Sequence, residues 1–210
     1  MKTINKEAQD NITPSMALNL LREGNQRFVN NLKINRNLLS QMNETSESQH
    51  PFAVIISCMD SRTSAELIFD QGLGDVFSIR IAGNVINEDI LGSTEFGCKV
   101  AGAKVVVVLG HSGCGAIKGA IANVDLGHLH FITSKIQRCI PKLKKELPNA
   151  SEIEFCNHVT KENITQGVAD IKTRSSILED MSYNGSIKIV GGLYDLTSGH
   201  VTFFDSMDNL

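Results

Sequence analysis

Short apolar runs alternate along this chain with longer stretches of helical period. Residues 52–56, 105–109 and 187–194 are runs rich in β-branched side chains, and 76–79 is a shorter one. Such runs, stopped by small or polar residues, predict strands buried in a parallel sheet. Thr13-Pro14 opens a helix with an N-cap hydroxyl and a proline at the first helical position. Met16, Leu18, Leu20, Leu21 and Phe28 carry its apolar pattern through Val29. Helices are also predicted over 63–70 (ended by Gly72 and Gly74), 91–100, 115–124, 128–147 and 151–182, with Pro148-Asn149 between the last two. Residues 35–50 are polar and predict a loop with a short helix around 38–42. Gly191-Gly192 is expected to break the 187–194 strand, 195–199 to turn, and 201–204 to form a closing edge strand. Strand and helix alternate throughout, without an internal repeat. The expectation is an α/β fold: a mainly parallel β-sheet flanked by helices, with an N-terminal helical extension and an edge strand near the C-terminus. A single domain over 1–210 is expected, with 1–50 as arm and loop and 51–210 as the α/β core.

Composition changes this picture little. The 210 residues are 41% hydrophobic and only 20% charged, which suits a globular chain with a sizeable core. A net charge of −3 gives no electrostatic reason to expect nucleic acid or an acidic membrane. The one dense basic spot, Lys142-Leu143-Lys144-Lys145, reads as a solvated helix face. The first fourteen residues lack the apolar core of a signal peptide, and the run 105–110 is far too short to span a bilayer. The expected address is the cytoplasm, where thiols stay reduced. The five cysteines, at 58, 98, 114, 139 and 156, therefore point to metal ligation or burial rather than a disulfide scaffold.

The chemistry-bearing residues follow two of the strands. Ser57-Cys58-Met59-Asp60-Ser61-Arg62 succeeds the first run, and His111-Ser112-Gly113-Cys114-Gly115 succeeds the 105–109 run. The carboxyl ends of parallel strands are where α/β sheets build sites. Cys58 with the His111-x-x-Cys114 pair matches the sulfur and nitrogen ligands of a tetrahedral zinc ion, and three protein ligands would leave one position open for chemistry. By spacing alone, the alternative of two buried thiols and a turn histidine stands equally. If the segment is extended, Cys58, Asp60 and Arg62 point to the same side. Asp60 would then fill the fourth position or accept a hydrogen bond beside the metal, with Arg62 holding it away through a bidentate pair. The competing reading is an ion pair capping the next helix. His128 and His130, two apart on a helix, diverge and read as surface residues. Cys98, Cys139 and Cys156 read as core or surface thiols. Arg80 and Asn84 either hold the loop after the second strand or touch substrate.

Taken together, Cys58-Met59-Asp60-Ser61-Arg62 and His111-Ser112-Gly113-Cys114 resemble the β-class carbonic anhydrases. The similarity continues through Glu66, Asp70-Gln71-Gly72-Leu73-Gly74-Asp75-Val76-Phe77 and Arg80-Ile81-Ala82-Gly83-Asn84, and covers roughly residues 14–205. It implies one Zn²⁺ per chain on Cys58, His111 and Cys114. The implied reaction is reversible hydration of CO₂ to bicarbonate and a proton by zinc-bound hydroxide, with Asp60 and Arg62 catalytic. Asp60 is a fourth ligand only if the site is closed. Two thiolate ligands make the ion a weaker Lewis acid than an all-histidine site, so activity is expected to favour alkaline pH. The resemblance further implies substrate contacts at Gln49, Phe77, Ala82, Phe96 and Gly113. Gln49 stands nine residues before Cys58, as in the plant-like subgroup, where that glutamine works across a subunit boundary. Phe96 replaces a pocket tyrosine, and Ile55 stands where a regulated subgroup carries tryptophan. A homodimer or dimer of dimers, paired through the N-terminal helix and a sheet edge, is implied as well. The rival functions are hydrolysis of carbonyl sulfide or carbon disulfide at the same site, and a non-catalytic zinc- or bicarbonate-binding scaffold.

Overall fold

The computed structural model describes residues 3–204, so the extreme ends of the expected 1–210 domain lie outside the described residues. The N-terminal arm holds α1 (Lys6–Asn11), α2 (Pro14–Val29) and α3 (Leu38–Glu44). Thr13 caps α2 as expected, its hydroxyl accepting from the Met16 amide. The polar sequence of α1 carried no apolar stripe to announce it. Its cap is Asn5, and its buried Gln9 donates to the carbonyls of Pro51 and Ala101.

The core follows in the order β1 (Ala53–Ser57), α4 (Ala65–Ile68), β2 (Val76–Arg80), α5 (Glu88–Glu95), β3 (Val105–His111), α6 (Gly115–Ile121), α7 (His130–Gln137), α8 (Ile140–Glu146), α9 (Glu152–Arg174), α10 (Ser176–Tyr183), β4 (Lys188–Tyr194) and β5 (Val201–Phe204). Helix α5 runs on into a π-helical turn, Phe96–Val100. The two long predicted helices are each divided: the first between α7 and α8, the second at Ser175, whose hydroxyl caps α10 by accepting from the Leu178 amide.

The five strands lie in the order β2-β1-β3-β4-β5, parallel except for β5. Successive side chains of a strand face opposite sides, and the core divides accordingly. Val54, Ile56, Val106, Val108 and Ile189 pack under α9, α10 and α5 through Ile164, Val168, Ile171, Leu178 and Ile90. Ala53, Ile55, Val105, Val107, Leu109 and Val190 face α2 and α4 through Ala17, Leu21, Ala65 and Ile68. Every residue of β3 is buried. Each fully buried Val or Leu there contributes about 1.5–3 kcal/mol, which makes β3 the apolar axis of the sheet.

Gly191-Gly192 does not break β4, which runs unbroken across both residues. The pair instead lets neighbours approach: a β-carbon at Gly191 would lie 2.5 Å from Phe204 Cε2 and 2.9 Å from Ile164 Cγ2. The arm is tied to the core by Asn25. Its amide donates to the carbonyls of Ile68 and Gly199 and its oxygen accepts from the Val201 amide.

The strand order sets the position of the site. The chain leaves β1 toward β2 on one side and leaves β3 toward β4 on the other. Adjacent strands whose connections diverge open a crevice beyond their carboxyl ends. That crevice lies between β1 and β3.

Candidate metal centre

Cys58 is the first residue after β1, His111 is the last of β3, and Cys114 immediately precedes α6. All three are buried, and their ligand atoms lie within 4.8 Å of one another, with the two sulfurs 3.9 Å apart. The exposed Gly113 allows the tight turn between His111 and Cys114 with a φ of 66°. His111 Nδ1 lies 2.9 Å from the Ser112 carbonyl, so the ring donates there and turns Nε2 toward the sulfurs as an acceptor. That Nε2 is buried and has no hydrogen-bond partner. Leaving such an atom unsatisfied costs about 1–3 kcal/mol.

The sulfurs are electronically prepared as well. The hydrogen bond between the two sulfurs pulls the Cys58 thiol well down, against the opposing effect of burial. Its partner Cys114, beside that sulfur and buried, is pushed up. A shared proton between two sulfurs beside an orphaned imidazole nitrogen is a donor set suited to a borderline-soft cation such as Zn²⁺. The remaining cysteines are buried and outside this group, with Cys98 pushed up to about 12 and Cys139 to about 11 by burial. His128 and His130 are exposed and likewise outside it.

Asp60 sits at the mouth. The Arg62 side chain donates Nε to Oδ1 at 2.9 Å and Nη2 to Oδ2 at 2.7 Å, and its backbone amide donates to Oδ1 at 3.0 Å. This clamp holds the Asp60 carboxyl well below the usual carboxylate range. Oδ2 stands 4.0 Å from His111 Nε2. The pair meets because residues 60–63 form a turn closed by the Thr63 amide on the Asp60 carbonyl, not because the segment is extended. It does not cap α4 either; Ser64 takes the cap position and its side chain makes no cap hydrogen bond. Thr63 Oγ1 donates to the carbonyls of Cys58 and Asp60, and Arg80 donates Nη2 to the Asp60 carbonyl at 2.5 Å and Nε to that of Cys58. Arg80 thus holds the loop. Thr63 escaped sequence reading because nothing in its spacing separates it from an ordinary helix-start threonine.

The other predicted contacts fall in three places. Ala82, half-buried, begins the 3₁₀ turn Ala82–Asn84 directly beside Cys58's neighbour Gly83. Gln49 is exposed in a cavity of ≈ 490 Å³ lined by Met42, Thr45, Leu73 and Gly74. Phe77 and Phe96, with ring centroids 6.3 Å apart, line a groove along β2 with Ser78 and Ile79. Neither cavity is lined by Cys58, His111 or Cys114.

The family profile for carbonic anhydrases matches residues 53–201. Carbonic anhydrase 2 of Mycobacterium tuberculosis is 34% identical over 203 residues, covering 95% of this chain and 97% of that protein. A carbonic anhydrase of Mycolicibacterium smegmatis is 34% identical over 198 residues, covering 91% of this chain and 93% of its own length. The crystal structure of the β-carbonic anhydrase CafA of Aspergillus fumigatus superposes with a TM-score of 0.75 at 25% identity, covering 93% of this chain and 92% of that one. The chain belongs to the β-class carbonic anhydrases. The mixed sheet with one antiparallel edge pair is the expected α/β fold of that family. The matched span contains Cys58, Asp60, Arg62, His111 and Cys114, and the carbonic anhydrase family match and the donor set point to the same metal chemistry. Among the described residues no helix is long and apolar enough to cross a membrane.

Proposed function

We propose that this chain is a zinc enzyme that interconverts carbon dioxide and bicarbonate. The observation that carries the reading is the convergence of two thiols and an unpartnered, buried imidazole nitrogen in the β1/β3 crevice, with a clamped carboxylate 4.0 Å away. Cys58, His111 and Cys114 would hold one zinc ion. Bound there, zinc supplies Lewis acidity, which makes water a usable nucleophile near neutral pH.

The chain's own residues do the rest. Both carboxylate oxygens of Asp60 receive N–H donors from Arg62, so Asp60 is an anion that accepts further hydrogen bonds. It would accept a hydrogen bond from the attacking water-derived oxygen and hold it facing the carbon of CO₂. Arg62 keeps Asp60 from swinging inward to close the site. Apolar Val85, Ile117, Ile136 and Val159 pack behind the ligands and exclude water from that side. The proton released in each cycle passes to buffer.

Gln49, Phe77, Ala82, Phe96 and Gly113 form the substrate pocket in this reading, completed across a boundary between two copies. The exposed edge of β2, with Phe96 51% exposed in the groove beside it, supports a second copy on that side and a dimer or dimer of dimers. Arm and core act as one unit in a reducing, cytoplasmic setting, as the Asn25 ties and five free cysteines suggest. The Asp60–Arg62 clamp favours catalysis over a scaffold, because a purely structural zinc cluster has no use for it.

Stopped-flow CO₂ hydration by zinc-loaded protein at about pH 7 and about pH 8.5 tests the reading. Activity is expected at both, higher at the alkaline value, with a 10–100-fold loss, roughly, in Asp60→Asn at unchanged zinc content. No hydration by zinc-loaded protein at either pH would overturn it, and turnover of carbonyl sulfide or carbon disulfide instead would reassign the substrate.

A further inference from the structure

The 3₁₀ turn Ala82–Asn84 lies against the metal centre without supplying a ligand. Its Gly83 has φ 65° and ψ 17°, and Asn84 follows with φ 45°, two consecutive left-handed residues of a kind that rarely stands unsupported. The conformation aims the Gly83 amide at Cys58 Sγ, 3.4 Å away. A β-carbon at Gly83 would lie 2.9 Å from Ile136 Cδ1 and 3.1 Å from Ala116 Cβ, so α6 and α7 close over the turn. On the next peptide, the Gly83 carbonyl accepts from Asn163 Nδ2 at 2.9 Å. Asn163 is buried on α9, only 6% exposed, between Val159 and Ile164 of the core. Glycine alone passes freely between conformations. The Asn163 amide removes that freedom by pinning the peptide that fixes ψ at Gly83.

We propose that Asn163 is a positioning residue for the metal centre, holding the Gly83 turn so that its amide N–H donates to the Cys58 thiolate. The inference rests on the metal reading above. A thiolate that accepts an N–H bond donates less charge to its metal, and outer hydrogen bonds of this kind tune the acidity of the ion. With two thiolates in the ligand set, each donor onto sulfur offsets part of the charge that would weaken the site. Asn163 thereby acts on the reaction from the far side of Gly83, without touching metal or substrate.

Cobalt(II)-substituted protein reports sulfur charge directly through the sulfur-to-cobalt charge-transfer absorption. In Asn163→Leu this band is expected to move to longer wavelength, because a sulfur relieved of its hydrogen bond gives up charge more easily. Thr160→Val, which disturbs the same buried helix through the Cys156 carbonyl, is expected to leave it in place. An unmoved band in cobalt-loaded Asn163→Leu, or an equal shift in Thr160→Val, would overturn the proposal. Should Asn163→Leu not fold, wild-type protein loaded with cadmium-113 decides. Scalar coupling from the metal through sulfur to the Gly83 amide proton is expected, and its absence overturns the proposal. Cobalt binding without any sulfur-to-cobalt band would instead sink the metal reading itself, and the inference with it.

Discussion

Gly110 stands immediately before His111 on β3, under helix α9, and its lack of a side chain is what lets that helix lie so close. A β-carbon there would fall 2.6 Å from Ile164 Cδ1 and 2.7 Å from Ile164 Cγ1, about 1 Å inside ordinary carbon–carbon contact. Ile164 is fully buried. Gly110→Ala is therefore expected to destabilise the fold by about 1–3 kcal/mol through overpacking. Ile164→Ala alone removes buried methylenes and should cost about 2–5 kcal/mol. The double variant is the informative one, since the methyl added at 110 enters the space vacated at 164. Its cost should fall short of the sum of the singles by about 0.5–3 kcal/mol. Urea unfolding of all four proteins, at a fixed zinc concentration, measures the cycle. Additivity within about 0.5 kcal/mol would refute the claim that α9 sets the residue at 110. Because α9 also carries Asn163, the overpacked single variant should lose zinc to a chelator more readily than the relieved double one.

Three further outcomes follow from particular contacts. Asp70, with a side chain 3% exposed, opposes its own burial by pairing with Arg27 and Arg36, each at 2.6 Å, which holds its carboxyl below the usual value. Its stabilisation is present above an unfolded-state pKa of about 3.9 and is lost as pH falls through the lower folded value. Asp70→Asn should thus cost about 3–5 kcal/mol at pH 7 and flatten the acid limb of stability measured by urea unfolding. Removing zinc with a chelator should abolish activity but leave far-UV circular dichroism largely intact at 25 °C, because both faces of the sheet pack without the ligands. Each tenfold rise in free zinc above its dissociation constant should then add about 1.4 kcal/mol in thermal unfolding. Phe96→Glu, placing a charge in the exposed groove along β2, should lower the molecular mass seen by light scattering while leaving zinc content unchanged.

Local signals accounted for much of what the chain does. The Thr13-Pro14 start of α2, the β-branched runs of β1 and β3, and the Cys58 and His111-x-x-Cys114 spacing each reflect chemistry confined to a few neighbouring residues. Where expectation and structure part, the cause in most cases lies in a distant partner. Gly191-Gly192 reads as a break because glycine is poor in strands; Phe204 and Ile164 turn it into a contact surface. Helix α1 is polar because its one buried side chain, Gln9, works through hydrogen bonds rather than apolar area. The clamp between Asp60 and Arg62 was anticipated as a pair, yet the turn that makes it depends on Thr63.

The decisive fact was strand order, which no local pattern carries. Two polar clusters after two buried strands make a site only if the strands are neighbours, and they make a crevice only if the chain leaves them in opposite directions. With β3 inserted between β1 and β4, both conditions hold, and Cys58 and His111 face one another across the β1/β3 boundary. Had β2 lain between β1 and β3, the same ligands would stand about 10 Å apart, two inter-strand spacings, and could not share an ion. The thiol and imidazole chemistry is thus conditional on an apolar matter, the burial of β3 on both faces at the centre of the sheet. A stable core and the gathering of these three donors are, in this fold, consequences of the same strand.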